Sequence, residues 1–576
     1  MTEVSAHSQP EQLTVKGKFW SRMPAWRLLA AVVSGVLFSL AFPPAELSWL
    51  GWCCYVPLLV LPVSPRWGRR LLTGYVWGYV QTALSLLWLN EVGFGAGWLL
   101  ALYCACYPAV WYALWGALVN WFCQRQAPGE AGASLPRACR RPGGLLLVLY
   151  GVCLWVGLEW WRSWFLTGFP WNQLGICQFT HPRLVMSAAW CGVYGLSFLL
   201  ISVNLALAGV IGQFWPVIQG KGRFDKLATW QMLRPWSLLF LVPIVPVFWF
   251  WGRHGGPTRF FDAPSIRVLA VQGNIPLCRF WSEEEFALAL QTYFSLTLEG
   301  TSQQKRPDLI LWPECAVPAP RQYPPYASAL AKLQAQVRLP MLIGATDLRV
   351  EPGGNPDSAK VFNSALLYDA QGKLTACYDK IHRVPFGEYV PFGKYFPWLV
   401  DMIGMGRDLT PGRSYTLLPL PGNVPAGVNI CFEDVFPEIS RAFTRRGAKV
   451  LMTITNDSWY RESAGSRQHL SHVVFRAVEC RRPLLRSGNN SDTCLIMPSG
   501  EIVNPLRNPL DGNPFYRGFA MYDVVTISHG GDTFYTKHGN VFAWLNFAVA
   551  VVMSAGLAGG RIRRHARLLK KIAPDK

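Results

Sequence analysis

Apolar residues dominate the first 250 positions, then give way to shorter runs set among polar segments. A membrane-crossing helix needs roughly 20 apolar residues. Stretches of that kind lie at about 26–43, 48–65, 71–90, 95–122, 144–166, 184–212 and 236–252, and another lies at about 541–560. Trp and Tyr crowd their ends, as the interfacial belt of a membrane protein requires. The part between 255 and 540 reads differently. Ile266-Arg-Val-Leu-Ala-Val271, Leu309-Ile-Leu-Trp312, Met341-Leu-Ile-Gly-Ala345, Val428-Asn-Ile-Cys431 and Val450-Leu-Met-Thr-Ile454 are strand-like. Helix-like stretches at 282–299 and 326–338 separate several of them. The alternation predicts a layered α/β domain, with chemistry-bearing residues at strand ends.

Charge then orders the spans. Lys16, Lys18, Arg22 and Arg27 precede the first span, and Arg66, Arg69 and Arg70 follow the second. Segments 123–142 and 213–235 are basic too, as is the tail Arg561-Ile-Arg-Arg-His-Ala-Arg-Leu-Leu-Lys-Lys571. The alternate loops hold Glu46, Glu91 and Arg183. Positive charge marks the cytoplasmic side, so both termini are expected inside and 255–540 outside. The expected organisation is a cytoplasmic segment 1–25, a seven-helix membrane domain 26–254, an extracytoplasmic catalytic domain 255–540, an eighth helix 541–560 and a basic tail 561–576. A cleaved signal peptide is disfavoured, because Ala41-Phe-Pro-Pro44 is a poor cleavage context.

Composition agrees. Of 576 residues 51% are apolar and only 15% charged, against about 25% charged in soluble proteins. The net charge of +20 follows the loops rather than one stripe, so nucleic acid is not an expected partner. Many of the 15 cysteines lie in apolar runs (Cys53, Cys54, Cys104, Cys106, Cys153), where a thiol acts as a small hydrophobe. No Cys/His zinc spacing occurs, and neither a metal nor another cofactor is expected. Cys278, Cys377, Cys480 and Cys494 allow a disulfide in an oxidising compartment, with no pairing indicated.

The outer segment carries three chemically loaded motifs: Leu311-Trp-Pro-Glu314, Tyr378-Asp-Lys-Ile-His-Arg-Val-Pro-Phe-Gly-Glu388 and Gly427-Val-Asn-Ile-Cys-Phe-Glu433. A thiol is mostly protonated at neutral pH and needs a base to become a nucleophile. Acyl transfer also needs a positive or hydrogen-bonding group where the carbonyl oxygen turns negative. Glu314 suits the base and Lys380 the oxyanion partner, with backbone N–H groups near Cys431 as further donors. Taken singly, each has a bland reading: a buried thiol, a turn carboxylate, a surface cation.

Jointly the motifs resemble the Glu-Lys-Cys triad of the nitrilase superfamily. With the spans, and with Val271-Gln-Gly-Asn-Ile-Pro276, Trp281, Asn456-Asp-Ser-Trp459, Arg467-Gln-His469, Arg476-Ala-Val-Glu-Cys-Arg-Arg-Pro483, Glu159-Trp-Trp-Arg162 and Thr167-Gly-Phe-Pro-Trp171, the chain resembles the apolipoprotein N-acyltransferase family. The resemblance implies a polytopic membrane domain of about eight helices plus a nitrilase-like α/β domain of αββα type. It implies Glu314 as general base, Lys380 as oxyanion stabiliser and Cys431 as nucleophile, supported by Glu388, Glu433 and Trp281. It also implies that an acyl chain passes from a membrane phospholipid, through a Cys431 thioester, to the α-amino group of a diacylglyceryl-cysteine at a lipoprotein N-terminus. A monomer in a bacterial inner membrane is expected, with its catalytic domain in the periplasm. The alternatives are a membrane-tethered amidase acting on small amides and a non-enzymatic membrane scaffold or transporter.

One position departs from the family, which has Tyr where Phe432 stands here, so a hydroxyl is absent. His382 and His469 offer a Cys–His alternative, and the choice of Glu as base rests on the resemblance. Glu159 and Arg162 lie one helical turn apart and read either as an ion pair or as substrate contacts. Residues 391–408 are too apolar for an ordinary loop. They are expected either to be buried or to form a membrane-facing lid.

Overall fold

The computed structural model describes residues 24–93, 95–126, 144–218, 264–277, 282–350, 353, 355, 358–403, 408–526 and 532–572. Among these, three helices are long and apolar enough to cross a membrane: Ala96–Cys123, Gly144–Arg162 and Val193–Gly212. Shorter apolar helices cover Ala25–Leu40, Ser48–Leu59 and Val541–Gly556.

The expected span at 48–65 is broken. It forms a 3-10 turn, Ser48–Trp52, then one helical turn, Val56–Leu59. Pro57 opens that turn, and Pro62 and Pro65 lack the N–H that would extend it. The stretch at 184–212 also starts in pieces. Gly192, at φ 63°, separates the short helix Ala188–Cys191 from the long Val193–Ile218. The candidate at 236–252 lies outside the described residues.

The later part of the chain holds strands β1 (Ser265–Gln272), β2 (Leu309–Leu311), β3 (Met341–Arg349), β4 (Lys360–Tyr368), β5 (Leu374–Asp379), β6 (Leu418–Leu420), β7 (Val424–Ile430), β8 (Val450–Thr455), β9 (Leu484–Gly488), β10 (Cys494–Ile496), β11 (Ile502–Val503) and β12 (Gly518–Val525). They form two six-stranded sheets, ordered β12-β1-β2-β3-β4-β5 and β11-β10-β9-β8-β7-β6. The centre of each sheet is parallel: β1, β2 and β3 in one, β7, β8 and β9 in the other. Antiparallel strands flank both.

The period of two explains the layering. Val268 and Ala270 of β1 join one buried cluster with Val428 and Ile430 of β7, so the sheets pack face to face. Leu269 and Val271, pointing the other way, join Phe286, Tyr293, Leu330 and Leu333 of helices Glu283–Thr301 and Pro324–Val337. Helices Pro437–Arg445 and Ala464–Cys480 cover the second sheet. The result is the expected αββα sandwich.

Loops of the membrane half meet this sandwich. Glu46 pairs with Arg467 at 2.8 Å and Glu91 with Arg461 at 3.0 Å. These are the loops that the charge pattern assigns to the same side as residues 255–540.

Candidate active site

Cys431 follows the last residue of β7 and opens the 3-10 turn Cys431–Val435. Its φ is 53°, in the left-handed region that a non-glycine residue adopts at a cost of order 1–3 kcal/mol. The turn is stapled by Glu433, whose Oε2 accepts from Ile430 N at 2.9 Å. Its Oε1 accepts from Tyr378 OH (2.8 Å), Ile381 N (2.7 Å) and His382 N (3.1 Å). Glu433 thus ties the turn bearing Cys431 to the segment bearing Lys380. Burial pushes its carboxyl up to about 7, against the pull of those donors and of Lys380.

Glu314 lies past the end of β2, and a glycine makes room for it. A Cβ on Gly344 of β3 would come within 2.4 Å of Pro313 O and 2.5 Å of Glu314 Cα. Glu314 Oε1 accepts from Asn363 Nδ2 at 2.7 Å and Lys380 Nζ at 3.3 Å, and Oε2 accepts from Asn456 N at 2.9 Å. Lys380 Nζ also donates to Glu388 Oε1 at 2.7 Å. Glu388 Oε2 accepts from Val384 N at 2.8 Å, and Asn363 Nδ2 reaches Glu388 Oε1 at 3.3 Å. Burial disfavours the Lys380 charge, but Glu388, Glu314 and Cys431 outweigh it and hold the ammonium well above its ordinary pKa.

These charges reach the thiol. Burial pushes the Cys431 thiol well up; Glu314 and Asp457 add to this, while Lys380 and the Thr455 hydroxyl oppose it. Cys431 is therefore a thiol at rest and needs a base beside it. The structure brings Glu314, Lys380, Glu388, Cys431 and Glu433 together. Trp281 lies outside the described residues.

The two histidines have different surroundings. His382 lies against Phe436, ring centroids 3.7 Å apart, and burial with Lys380 nearby lowers its pKa to about 4. His469 is locked between Asp434 (2.8 Å) and Asp457 (3.0 Å), and Arg486 pairs with Asp457 at 2.6 Å. Burial opposes the imidazolium, but the two aspartates outweigh it and raise His469 to about 9. A histidine raised from its usual 6.5 contributes stability that is complete below pH 6.5 and lost as pH rises through about 9. We expect the melting temperature to fall between pH 7 and 10, and His469→Gln to lose that slope. An unchanged slope in the variant would contradict this assignment.

Asn363, Thr455 and Asp457 were not singled out by their motifs. A signal existed for the first: Asn363-Ser364 is a polar pair inside the apolar strand β4. The expected ion pair of Glu159 and Arg162 is corrected. Each instead holds the loop after their helix. Glu159 Oε1 accepts from Leu174 N (2.8 Å) and Trp155 Nε1 (2.9 Å), and Arg162 Nη2 donates to Trp171 O (2.9 Å). Phe432 keeps a packing role, parallel to Trp171 at 6.2 Å and edge-on to Phe436 at 5.1 Å. Cys315 also packs, its sulfur near Thr346 Oγ1 at 3.7 Å. Cys377, Cys480 and Cys494 are free thiols, and Cys278 lies outside the described residues. The alternative of a buried segment at 391–408 fails for most of its described part, although Pro391 is buried. Phe392, Tyr395, Phe396, Trp398 and Met402 are exposed, and 404–407 lie outside the described residues.

Comparison with known proteins agrees with the two halves. Residues 34–206 match the apolipoprotein N-acyltransferase N-terminal domain, and residues 267–509 match the carbon-nitrogen hydrolase family. An apolipoprotein N-acyltransferase of Geobacter metallireducens is 33% identical over 542 residues, covering 92% of this chain and 95% of the relative. The chain belongs to the apolipoprotein N-acyltransferase family. A second member, from Allorhizobium ampelinum, is 29% identical over 85% of this chain and 89% of its own. Among solved structures, Saccharomyces cerevisiae Nit3 of the nitrilase superfamily aligns with a TM-score of 0.35 and 16% identity, over 47% of this chain and 93% of its own. An amidase from Nesterenkonia aligns with a TM-score of 0.35 and 17% identity, over 50% of this chain and 99% of its own. Phe432 is accommodated between the rings of Trp171 and Phe436.

Proposed function

We propose that this protein transfers an acyl chain from a membrane phospholipid to the free α-amino group of a diacylglyceryl-cysteine at a lipoprotein N-terminus, through a thioester on Cys431. The observation that carries the reading is the buried Glu314–Lys380 pair acting on a protonated thiol at a strained strand end. In the first half-reaction Glu314 takes the thiol proton and the sulfur attacks the ester carbonyl. Lys380 opposes the charge that develops on the carbonyl oxygen. The ester C–O bond breaks, the leaving glycerol oxygen takes the proton from Glu314, and lysophospholipid departs. In the second half-reaction the amine attacks the thioester, Glu314 accepts its proton, the C–S bond breaks and the thiol returns. Glu388 and Glu433 keep Lys380 and the Cys431 turn in place.

The membrane setting supports lipid substrates. Three membrane-length helices among the described residues precede the sandwich, and the exposed aromatic strip Phe392–Met402 follows the Lys380 and Glu388 motif. We assign this strip as a membrane-facing lid, in an eight-span protein whose residues 255–540 face the periplasm. A small-amide hydrolase would need neither feature. The test is a single turnover without acceptor: phospholipid in, lysophospholipid measured. One equivalent per enzyme, with further release only after a diacylglyceryl peptide is added, is expected. Continuous release without acceptor would show hydrolysis instead.

A further inference from the structure

Two neighbouring residues on helix Ala464–Cys480 face opposite ways. His469 bonds Asp434, in the turn that opens with Cys431, and Asp457, just past β8. Gln468 turns to the membrane half and is 1% exposed. Its Oε1 accepts from Trp88 Nε1 (2.9 Å), Trp171 Nε1 (2.9 Å) and Asn172 Nδ2 (3.0 Å). Its Nε2 donates to Pro43 O (2.9 Å) and Ser85 O (3.0 Å). An amide oxygen has two lone pairs and an amide nitrogen two N–H groups. Both N–H groups are used and three donors share the two lone pairs, all of these partners coming from the membrane half. The three segments it ties are the turn after Ala25–Leu40, the end of helix Trp67–Ser85 with Trp88, and the loop at Trp171–Asn172.

The seam is close-packed. Trp88 and Trp171 pack at 5.1 Å, and Trp171 lies 5.6 Å from His469 and 5.2 Å from His472. A Cβ on Gly465 would come within 2.8 Å of the Trp88 ring, so only glycine admits that ring at the start of the helix. On its other side Trp171 stacks on Phe432, the residue after Cys431. Its carbonyl is fixed by Arg162 and the chain beyond it by Glu159.

We infer that Gln468 is a positioning residue that couples the membrane half to the wall of the thiol site, through Trp171 and Phe432. This rests on the reading of Cys431 as the acylated nucleophile. Gln468 touches neither the thiol nor its base. It sets where the membrane half, and any lipid held by it, stands relative to the sulfur. Hydrogen bonds to five groups give a register that no apolar side chain of the same size supplies.

The test uses the full chain and two probes of the same sulfur. One is acylation of Cys431 by vesicles of phosphatidylethanolamine and phosphatidylglycerol. The other is alkylation of Cys431, read on its own peptide, by iodoacetamide, a small soluble electrophile that needs the deprotonated sulfur but no placement of lipid. Gln468→Leu is expected to slow lipid acylation about 10- to 100-fold, as a small misplacement does, and to leave alkylation within about twofold. Trp171→Phe, which removes the N–H together with one of the two fused rings and keeps an aromatic face, should show the same split more weakly. The double variant should be no slower than Gln468→Leu alone. Should Gln468→Leu fail to fold, Trp171→Phe carries the test. Acylation that is unchanged, or that falls in step with alkylation, would overturn the inference. A wild type that gains no acyl group would refute the nucleophile reading instead.

Discussion

Glu314→Gln should reduce acyl transfer by about 10²–10⁴-fold, the usual worth of a positioned base. The amide has the shape of the carboxylate but cannot take a proton. It also cannot satisfy its surroundings, because three donors converge on the two Glu314 oxygens: Asn363 Nδ2, Lys380 Nζ and Asn456 N. Wherever the new NH2 group points, it faces another donor. Raising the pH should rescue little near neutrality, since burial holds the Cys431 thiol well above its ordinary range. Lysophospholipid release in a single turnover, followed from pH 7 to 9, measures the effect. A variant that keeps wild-type rates would remove Glu314 from the mechanism and reopen a histidine base.

Lys380→Met should harm both fold and function. Lys380 is 2% exposed and donates to Glu388 and Glu314. Removing one partner of a buried pair costs about 3–5 kcal/mol, because the remaining charge stays buried without it. Loss of an oxyanion donor costs about 10²–10³-fold in rate. The two effects separate in a double variant. Adding Glu388→Gln to Lys380→Met removes one of the stranded carboxylates, so part of the melting temperature should return. Activity should not. Recovered activity in the double variant would mean that Lys380 serves only to neutralise Glu388.

Much of this site was legible in the sequence because its three motifs each end a strand. An apolar run that stops at Glu or Cys marks a strand end, and strand ends are where such a sandwich exposes side chains. Asn363 was harder, since it lies within β4 rather than at an end, and its partners Glu314 and Glu388 are 49 and 25 positions away. Asp457 was visible in a motif, but its partners His469 and Arg486 come from a helix and from β9. No local pattern connects them. The membrane half was legible in outline. Hydrophobicity placed the helices, but it could not reveal the break that prolines make at 57, 62 and 65, where apolar content stays high. Glu159 and Arg162 misled for a related reason. Helical spacing puts them on one face, yet each finds its partner in the loop after their helix, Arg162 at Trp171 and Glu159 at Leu174. The charge pattern carried different information. It grouped Glu46 and Glu91 with residues 255–540, and both are ion-paired to residues of that segment.

In the proposed reaction Cys431 carries the acyl chain between donor and acceptor. Intact-protein mass spectrometry after incubation with phospholipid tests it most directly. The wild type should gain the mass of one acyl group, lost on hydroxylamine treatment and on addition of a diacylglyceryl peptide, while Cys431→Ala gains none. An unmodified wild type, or an adduct of equal yield on Cys431→Ala, would contradict the account.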